Sequence, residues 1–138
     1  MESRKPNLPP LYHYCMFLIS KSQIALDEVI YTAALIKRYC HKIGRTCPLN
    51  YYKLVAVCIY LSQKVYREEK FWGAKDFSYI AGIKLETLKA LELEFLQEID
   101  FDVLLKDEQY SKMDILLSTF CKTKEQCLTL AIIYRGYH

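Results

Sequence analysis

Eight consecutive residues near the middle of the chain, residues 54–61, are uncharged and apolar. A run of this length can form a buried strand, but the apolar pattern continues at helical spacing to Val65, which favours a helix. Because this helix is apolar on all sides, other helices must surround it in a soluble protein. The sequence therefore predicts a central helix that Asn50 caps and that extends to about Tyr66.

Helical spacing also occurs on both sides of the central run. Gly44 and Gly82 follow two of these periodic segments and are predicted to end them. Besides the central helix, the pattern predicts helices over residues 11–21, 27–43, 75–81, 107–121 and 123–134, the last two of which could also form one helix.

The segment between Gly82 and Asp107 gives two conflicting signals. Its stretch LELEF alternates between apolar and polar residues, as a strand does. Over a longer window, a helical stripe is formed by Leu85, Leu88, Leu91 or Glu92, Phe95 and Ile99. Since the longer pattern carries more weight, we predict a helix here and an all-α fold of six or seven helices.

The composition fits one folded domain. Of 138 residues, 52% are hydrophobic and 25% are charged, and a chain of this size can bury a substantial core. Four glycines and four prolines leave few breaks, which favours long helices. We predict that residues 1–10 form a loose, Pro-rich lead-in and that residues 11–138 form a single domain.

Charge and hydropathy argue against a nucleic-acid partner and against a membrane span. The formal net charge of +3 is too small to indicate a nucleic-acid-binding domain, which usually carries a dense basic stripe. The apolar stretch at residues 11–19 is too short to span a bilayer, and no small-residue cleavage site follows it. We therefore expect no nucleic-acid partner and no membrane span.

The six cysteines are predicted to be free intracellular thiols in or near the core, since free cysteine packs like a small hydrophobe. A disulfide framework is not expected, because the chain has enough apolar residues to fold without cross-links. Cys40 and His41, followed by Cys47, lack the second close pair of ligands that a zinc site requires. The sequence predicts no metal and no other cofactor.

The side chains that enzyme chemistry needs are scattered. None of the three histidines has a carboxylate and a nucleophile at motif spacing, and no glycine-rich phosphate loop occurs. Acidic pairs such as Glu92 and Glu94 are two residues apart, which places them on different faces of a helix. No enzymatic activity is predicted.

The central helix ends in charged residues. Lys64 follows the apolar run, and Arg67, Glu68, Glu69 and Lys70 come soon after it. Judged on spacing alone, these residues are the ordinary solvated end of an amphipathic helix.

Longer stretches of the sequence resemble the cyclin box, closest to the phosphate-regulon type of yeast cyclins and the plant P/U-type cyclins. The resembling region, residues 26–103, contains DEVIYTAALIKRY and LNYYKLVAVCIYLSQKVYREEKFWGAKDFSYIAGIKLETLKALELEFLQEIDFDV. The resemblance implies a cyclin-box five-helix bundle around the central buried helix, with extra N- and C-terminal helices. It also implies a location in the nucleus, the cytoplasm or both.

The resemblance implies a regulatory subunit that binds and activates a cyclin-dependent serine/threonine kinase. In the family, a lysine at the end of the central helix and a glutamate two helices later contact the kinase. Lys64 and Glu92 match these two positions. The apolar residues that flank the pair are the candidate kinase contacts, whereas Phe95 is assigned to the core. These candidates are Val65, Tyr66, Phe71, Trp72 and Leu96.

Three departures from the family pattern affect what the resemblance implies. Lys37 stands before Arg38 where relatives often have Asp, so an Asp–Arg pair is not expected there. Lys84 replaces a frequent Ser, and a lost Ser cap costs about 1 kcal/mol of stability. The M-R-A-I-L-like substrate-docking stretch is not recognisable around residues 26–36, and a second cyclin box is not expected.

Two other functions stay open on the sequence. A cyclin-fold module that binds DNA or transcription machinery would need a basic face, and the one local cluster is Lys37, Arg38, His41, Lys42 and Arg45. A solvated helix end also explains that cluster. An adaptor or scaffold that binds a protein without activating a kinase is the second alternative.

Overall fold

The computed structural model describes residues 10–44, 50–66 and 73–133. Within these ranges the protein forms seven α-helices and no strand, so the predicted all-α fold of six or seven helices is confirmed. The helices are α1 (Pro10–Ser22), α2 (Leu26–Ile43), α3 (Tyr51–Tyr66), α4 (Ala74–Ala81), α5 (Leu85–Glu98), α6 (Asp107–Phe120) and α7 (Lys124–Ile133).

The predicted central helix is α3. Residues 54–63 are all buried, and α3 contacts α1, α2, α5 and α7. At its start, the side-chain oxygen of Asn50 accepts a hydrogen bond of 2.9 Å from the amide of Lys53. This bond satisfies one of the free amides at a helix start, which confirms Asn50 as the cap.

Helix α2 packs antiparallel to α3, since Tyr31 near its start contacts Tyr66 at the end of α3. Glu28 in its first turn accepts a hydrogen bond of 2.9 Å from the amide of Ala25. At its other end, Gly44 has φ of 84° and donates its amide to the carbonyl of Cys40 at 2.9 Å. A positive φ is readily available to glycine, so the predicted end of this helix is confirmed.

Helix α5 resolves the ambiguous LELEF stretch as helix. Leu88, Leu91 and Phe95 are buried, and Ile99 directly after the helix is buried as well. The ring of Phe95 stacks on that of Tyr39, with centroids 4.5 Å apart. Lys84 makes no side-chain hydrogen bond at the helix start, consistent with the predicted loss of a cap.

Helices α6 and α7 both pack against helices that precede them in the chain. α7 contacts α1, α2 and α3, and α6 contacts α2. The ammonium of Lys124 donates a hydrogen bond of 2.7 Å to the carbonyl of Ile24, which ties the start of α7 to the connection between α1 and α2. None of the described helices is both long and apolar enough to cross a bilayer.

Candidate functional site

Lys64 and Glu92 form an ion pair on the surface of the bundle. The Lys64 Nζ atom lies 2.6 Å from the Glu92 Oε2 atom, across α3 and α5. The Lys64 side chain is 49% exposed and that of Glu92 is 14% exposed. The fold therefore brings together the two residues that the sequence singled out and keeps the lysine accessible.

The surroundings of the pair favour the protonated, charged form of Lys64. The hydrogen bond to Glu92 raises the pKa of Lys64, although partial burial opposes this change. The Lys64 ammonium also lies 5.5 Å from the ring centroid of Tyr60, within the range of a cation–π contact. Lys64 is therefore a protonated donor at neutral pH.

The end of α3 changes from buried to exposed at one residue. Ser62 and Gln63 are fully buried, whereas Lys64, Val65 and Tyr66 are exposed. The Gln63 side-chain amide donates a hydrogen bond of 3.0 Å to the carbonyl of Ser22 at the end of α1. This buried bond ties α3 to the end of α1, directly before the residue at which α3 becomes exposed.

The apolar candidates around the pair differ in accessibility. Val65 and Tyr66 are each 42% exposed, and Leu96 is partly buried against the core. The predicted contacts Phe71 and Trp72 lie outside the described residues. Three of the five apolar candidates are thus present at or near the surface that carries Lys64 and Glu92.

Tyr31 connects this surface to the segment after α5. Its ring meets that of Tyr66 edge to face, with centroids 5.3 Å apart. Its hydroxyl donates a hydrogen bond to the carbonyl of Val103. Since Tyr31 is 2% exposed, it is an internal support and not a contact residue.

Phe101 is a candidate that the sequence analysis did not single out. It is 58% exposed, has a positive φ of 57°, and donates its amide to the Leu96 carbonyl at 2.7 Å. The signal was its position between Asp100 and Asp102, because an aromatic residue between two acids is expected near solvent.

The side chain of Arg38 is largely shielded from solvent and hydrogen-bonded, whereas the sequence suggested a solvated helix end. Its guanidinium donates hydrogen bonds of 2.7 and 2.8 Å to the carbonyls of Asp102 and Leu104, and its side chain is 18% exposed. The Asp102 carboxylate lies 3.5 Å from the same nitrogen. Arg38 therefore pairs with an aspartate after α5, although the neighbouring position holds Lys37.

We predict that Arg38→Ala lowers the free energy of unfolding by about 1.5–3 kcal/mol, the usual contribution of a hydrogen bond to a charged group. The variant leaves two carbonyls of the segment after α5 without their donor. Urea unfolding followed by circular dichroism measures the change. The matched control is Lys37→Ala, an exposed neighbour that should change stability by no more than about 0.5 kcal/mol. Equal urea midpoints for the two variants would contradict the structural role of Arg38.

Two of the buried cysteines, Cys15 and Cys127, have raised pKa values. Burial raises the pKa of Cys15 to about 11 and that of Cys127 to about 12, so both thiols stay protonated at neutral pH. Within the described ranges, no group of three or more His, Cys, Asp or Glu side chains could hold a metal ion.

A sequence model of the cyclin family matches residues 10–103, over half of the chain. The match includes α1 to α5 and continues to Val103, and it begins before Leu26, the first residue of the resembling region. No solved structure matches the chain significantly. Cyclins are regulatory and not catalytic proteins. This chain belongs to the cyclin family.

Proposed function

We propose that this protein binds a cyclin-dependent serine/threonine kinase and activates it. The observation that carries the proposal is the Lys64–Glu92 pair, which is accessible on one side and bordered by apolar side chains. Protein interfaces commonly combine such groups, since apolar anchors supply affinity and charge-assisted hydrogen bonds fix the orientation.

The two members of the pair have different tasks in the complex. Lys64 donates to backbone carbonyls of the kinase, because an ammonium has three donors and Glu92 occupies one of them. Glu92 is mostly shielded and holds the lysine in position, and its free oxygen can accept a backbone amide. Val65, Tyr66 and Leu96 supply apolar contact around them, and Phe71 and Trp72 stay predicted contacts.

Activation is allosteric in this proposal. A kinase of this class is inactive until a mobile helix moves its glutamate toward the lysine of the ATP site and the activation loop opens. A protein that binds the active arrangement more tightly shifts the kinase toward that arrangement. The change in the free energy between the two kinase states cannot exceed the difference between the protein's binding free energies for them. The rigid surface formed by α3, α5 and the segment after α5 suits that task.

The phosphate-regulon type of yeast cyclins and the plant P/U-type cyclins are the proposed subgroup. The sequence stretches at residues 27–39 and 49–103 support this assignment.

The experiment for this proposal is a pull-down with the immobilised protein from cell lysate, followed by a kinase assay. We expect mass spectrometry to identify a cyclin-dependent kinase among the captured proteins. We also expect the purified pair to phosphorylate a general substrate faster than the kinase alone. Capture without any gain in activity would favour an adaptor, and failure to recover a kinase from several lysates would contradict the proposal.

A further inference from the structure

A groove between α2 and α6 forms a second surface of the protein. Its volume is about 820 Å³, within the range of roughly 300–1,000 Å³ that is typical of ligand clefts. The segment that follows α5 also contributes to its lining. We call this feature the α2–α6 groove.

Part of the α2–α6 groove is apolar. Ile99 and Met113 line it and are almost fully buried, at 3% and 8% exposure. Leu116 also lines it and is 45% exposed. An apolar side chain of a partner would pack against Ile99 and Met113 and would shield Leu116 from water. This burial of apolar surface is favourable.

The charged residues of the groove leave an excess of positive charge. Asp100 lies 2.7 Å from Lys42 and Asp102 lies 3.5 Å from Arg38, so the chain itself compensates both carboxylates.

Lys37 of α2 and Lys112 of α6 supply the remaining charge. Both line the groove and are exposed. No carboxylate of the described residues lies within 4.0 Å of the ammonium of either. The groove thus presents one available cation on each of its two helices, beside an apolar surface.

The charged part of the groove is separate from the Lys64–Glu92 pair. Tyr31 marks the end of α2 that contacts Tyr66, next to the pair. Lys37 and Lys42 lie six and eleven residues further along α2, which is about 9 and 16 Å along the helix axis. A ligand in the groove does not need the kinase, so the inference does not rest on the proposed function.

We propose that the α2–α6 groove binds an acidic segment of a partner protein. Carboxylates of the segment pair with Lys37 and Lys112, and an apolar side chain between them packs on Leu116. A peptide fits better than a nucleic acid for two reasons. The carboxylates of Asp100 and Asp102 in the lining disfavour a continuous row of phosphates, and the apolar surface offers a phosphate backbone nothing to bind.

Fluorescence anisotropy with two labelled peptide pools tests this proposal on the full chain. Both pools carry a fixed central leucine; the flanking positions are drawn from Asp and Glu in one pool and from Lys and Arg in the other. We expect the wild-type protein to bind the acidic pool and not the basic pool. In K37E/K112E, affinity for the acidic pool should fall at least about tenfold, because attraction becomes repulsion. Leu116→Gln should also weaken binding.

The matched control is K75E/K84E, which makes the same charge change at two exposed lysines that do not line the groove. It should bind the acidic pool as the wild type does, and so should Lys64→Ala. Equal losses in K37E/K112E and K75E/K84E would overturn the proposal, since they would show general charge attraction. Failure to bind the acidic pool would also overturn it. So would tighter binding of a single-stranded oligonucleotide with a steep salt dependence, which would indicate nucleic acid instead.

Discussion

Replacing Lys64 by alanine is expected to weaken kinase binding by about 2–5 kcal/mol, a loss of affinity of roughly 30-fold or more. We expect a large loss because the proposed interface excludes water from the pair, so that Glu92 and the kinase carbonyls of the proposed complex lose their shared donor. In the free protein the same lysine is half exposed, and a surface ion pair contributes only about 0–1 kcal/mol to stability. Biolayer interferometry against the captured kinase and urea unfolding of the free variant measure the two effects.

Glu92→Ala and the double variant complete this test. Because the two side chains form one unit, the loss in the double variant should be close to the larger single loss and not to their sum. The matched control is Lys42→Ala, which breaks an exposed ion pair of similar length, 2.7 Å to Asp100, near the far end of α2. Kinase binding by Lys42→Ala should not change. Unchanged binding by the Lys64/Glu92 double variant would contradict the site assignment, even if the protein still captures a kinase through other residues.

Phe95→Ala is expected to lower the free energy of unfolding by about 3–5 kcal/mol, the usual cost of deleting a buried aromatic ring. Phe95 and Tyr39 are both fully buried, and their rings stack with an interplanar angle of 14°, so the deletion leaves a cavity between α5 and α2. The melting temperature should fall by roughly 10–20 °C. Circular dichroism with heating measures this change.

The neighbour Leu93 supplies the control for Phe95. It lies on the same helix, is 52% exposed, and should tolerate alanine with a change of no more than about 0.5 kcal/mol. Phe95→Leu, which keeps an apolar side chain, should lose less stability than Phe95→Ala. Equal melting temperatures for Phe95→Ala and Leu93→Ala would mean that α5 is rotated differently. In that case Glu92, three residues before Phe95, would no longer be placed beside Lys64.

The helices could be predicted from the sequence because their signals are local. Asn50 supplies a side-chain acceptor before α3, and Gly44 permits the positive φ that ends α2. The LELEF stretch shows the limit of local signals, since five residues fit a strand and only the longer stripe through Leu88 and Phe95 indicates a helix.

The site could be predicted only in part. Lys64 and Glu92 were found through the family resemblance, because spacing along the chain alone makes Lys64 an ordinary helix end. Phe101 was missed since its exposure depends on how the backbone turns after α5, where Asp100 and Phe101 both have positive φ. Phe71 and Trp72 stay predictions.

Arg38 shows how a correct pattern can suggest the wrong environment. In the sequence it belongs to a row of basic residues at the end of a helix, which normally face water. In the structure the segment after α5 lies beside it, and two backbone carbonyls of that segment accept its hydrogen bonds. The sequence contains no local sign of these acceptors, because they lie more than sixty residues away.

The sequence by itself determined which segments are helical and which of them is central, since periodicity, caps and glycines act within a few residues. The tertiary structure alone decided which distant groups come together: Lys64 with Glu92, and Arg38 with the carbonyls after α5. It also decided that Lys37 and Lys112 line one groove. The physical reason is that packing fixes the rotation of each helix. The stacked rings of Phe95 and Tyr39 hold α5 against α2, and the buried bond of Gln63 ties α3 to α1.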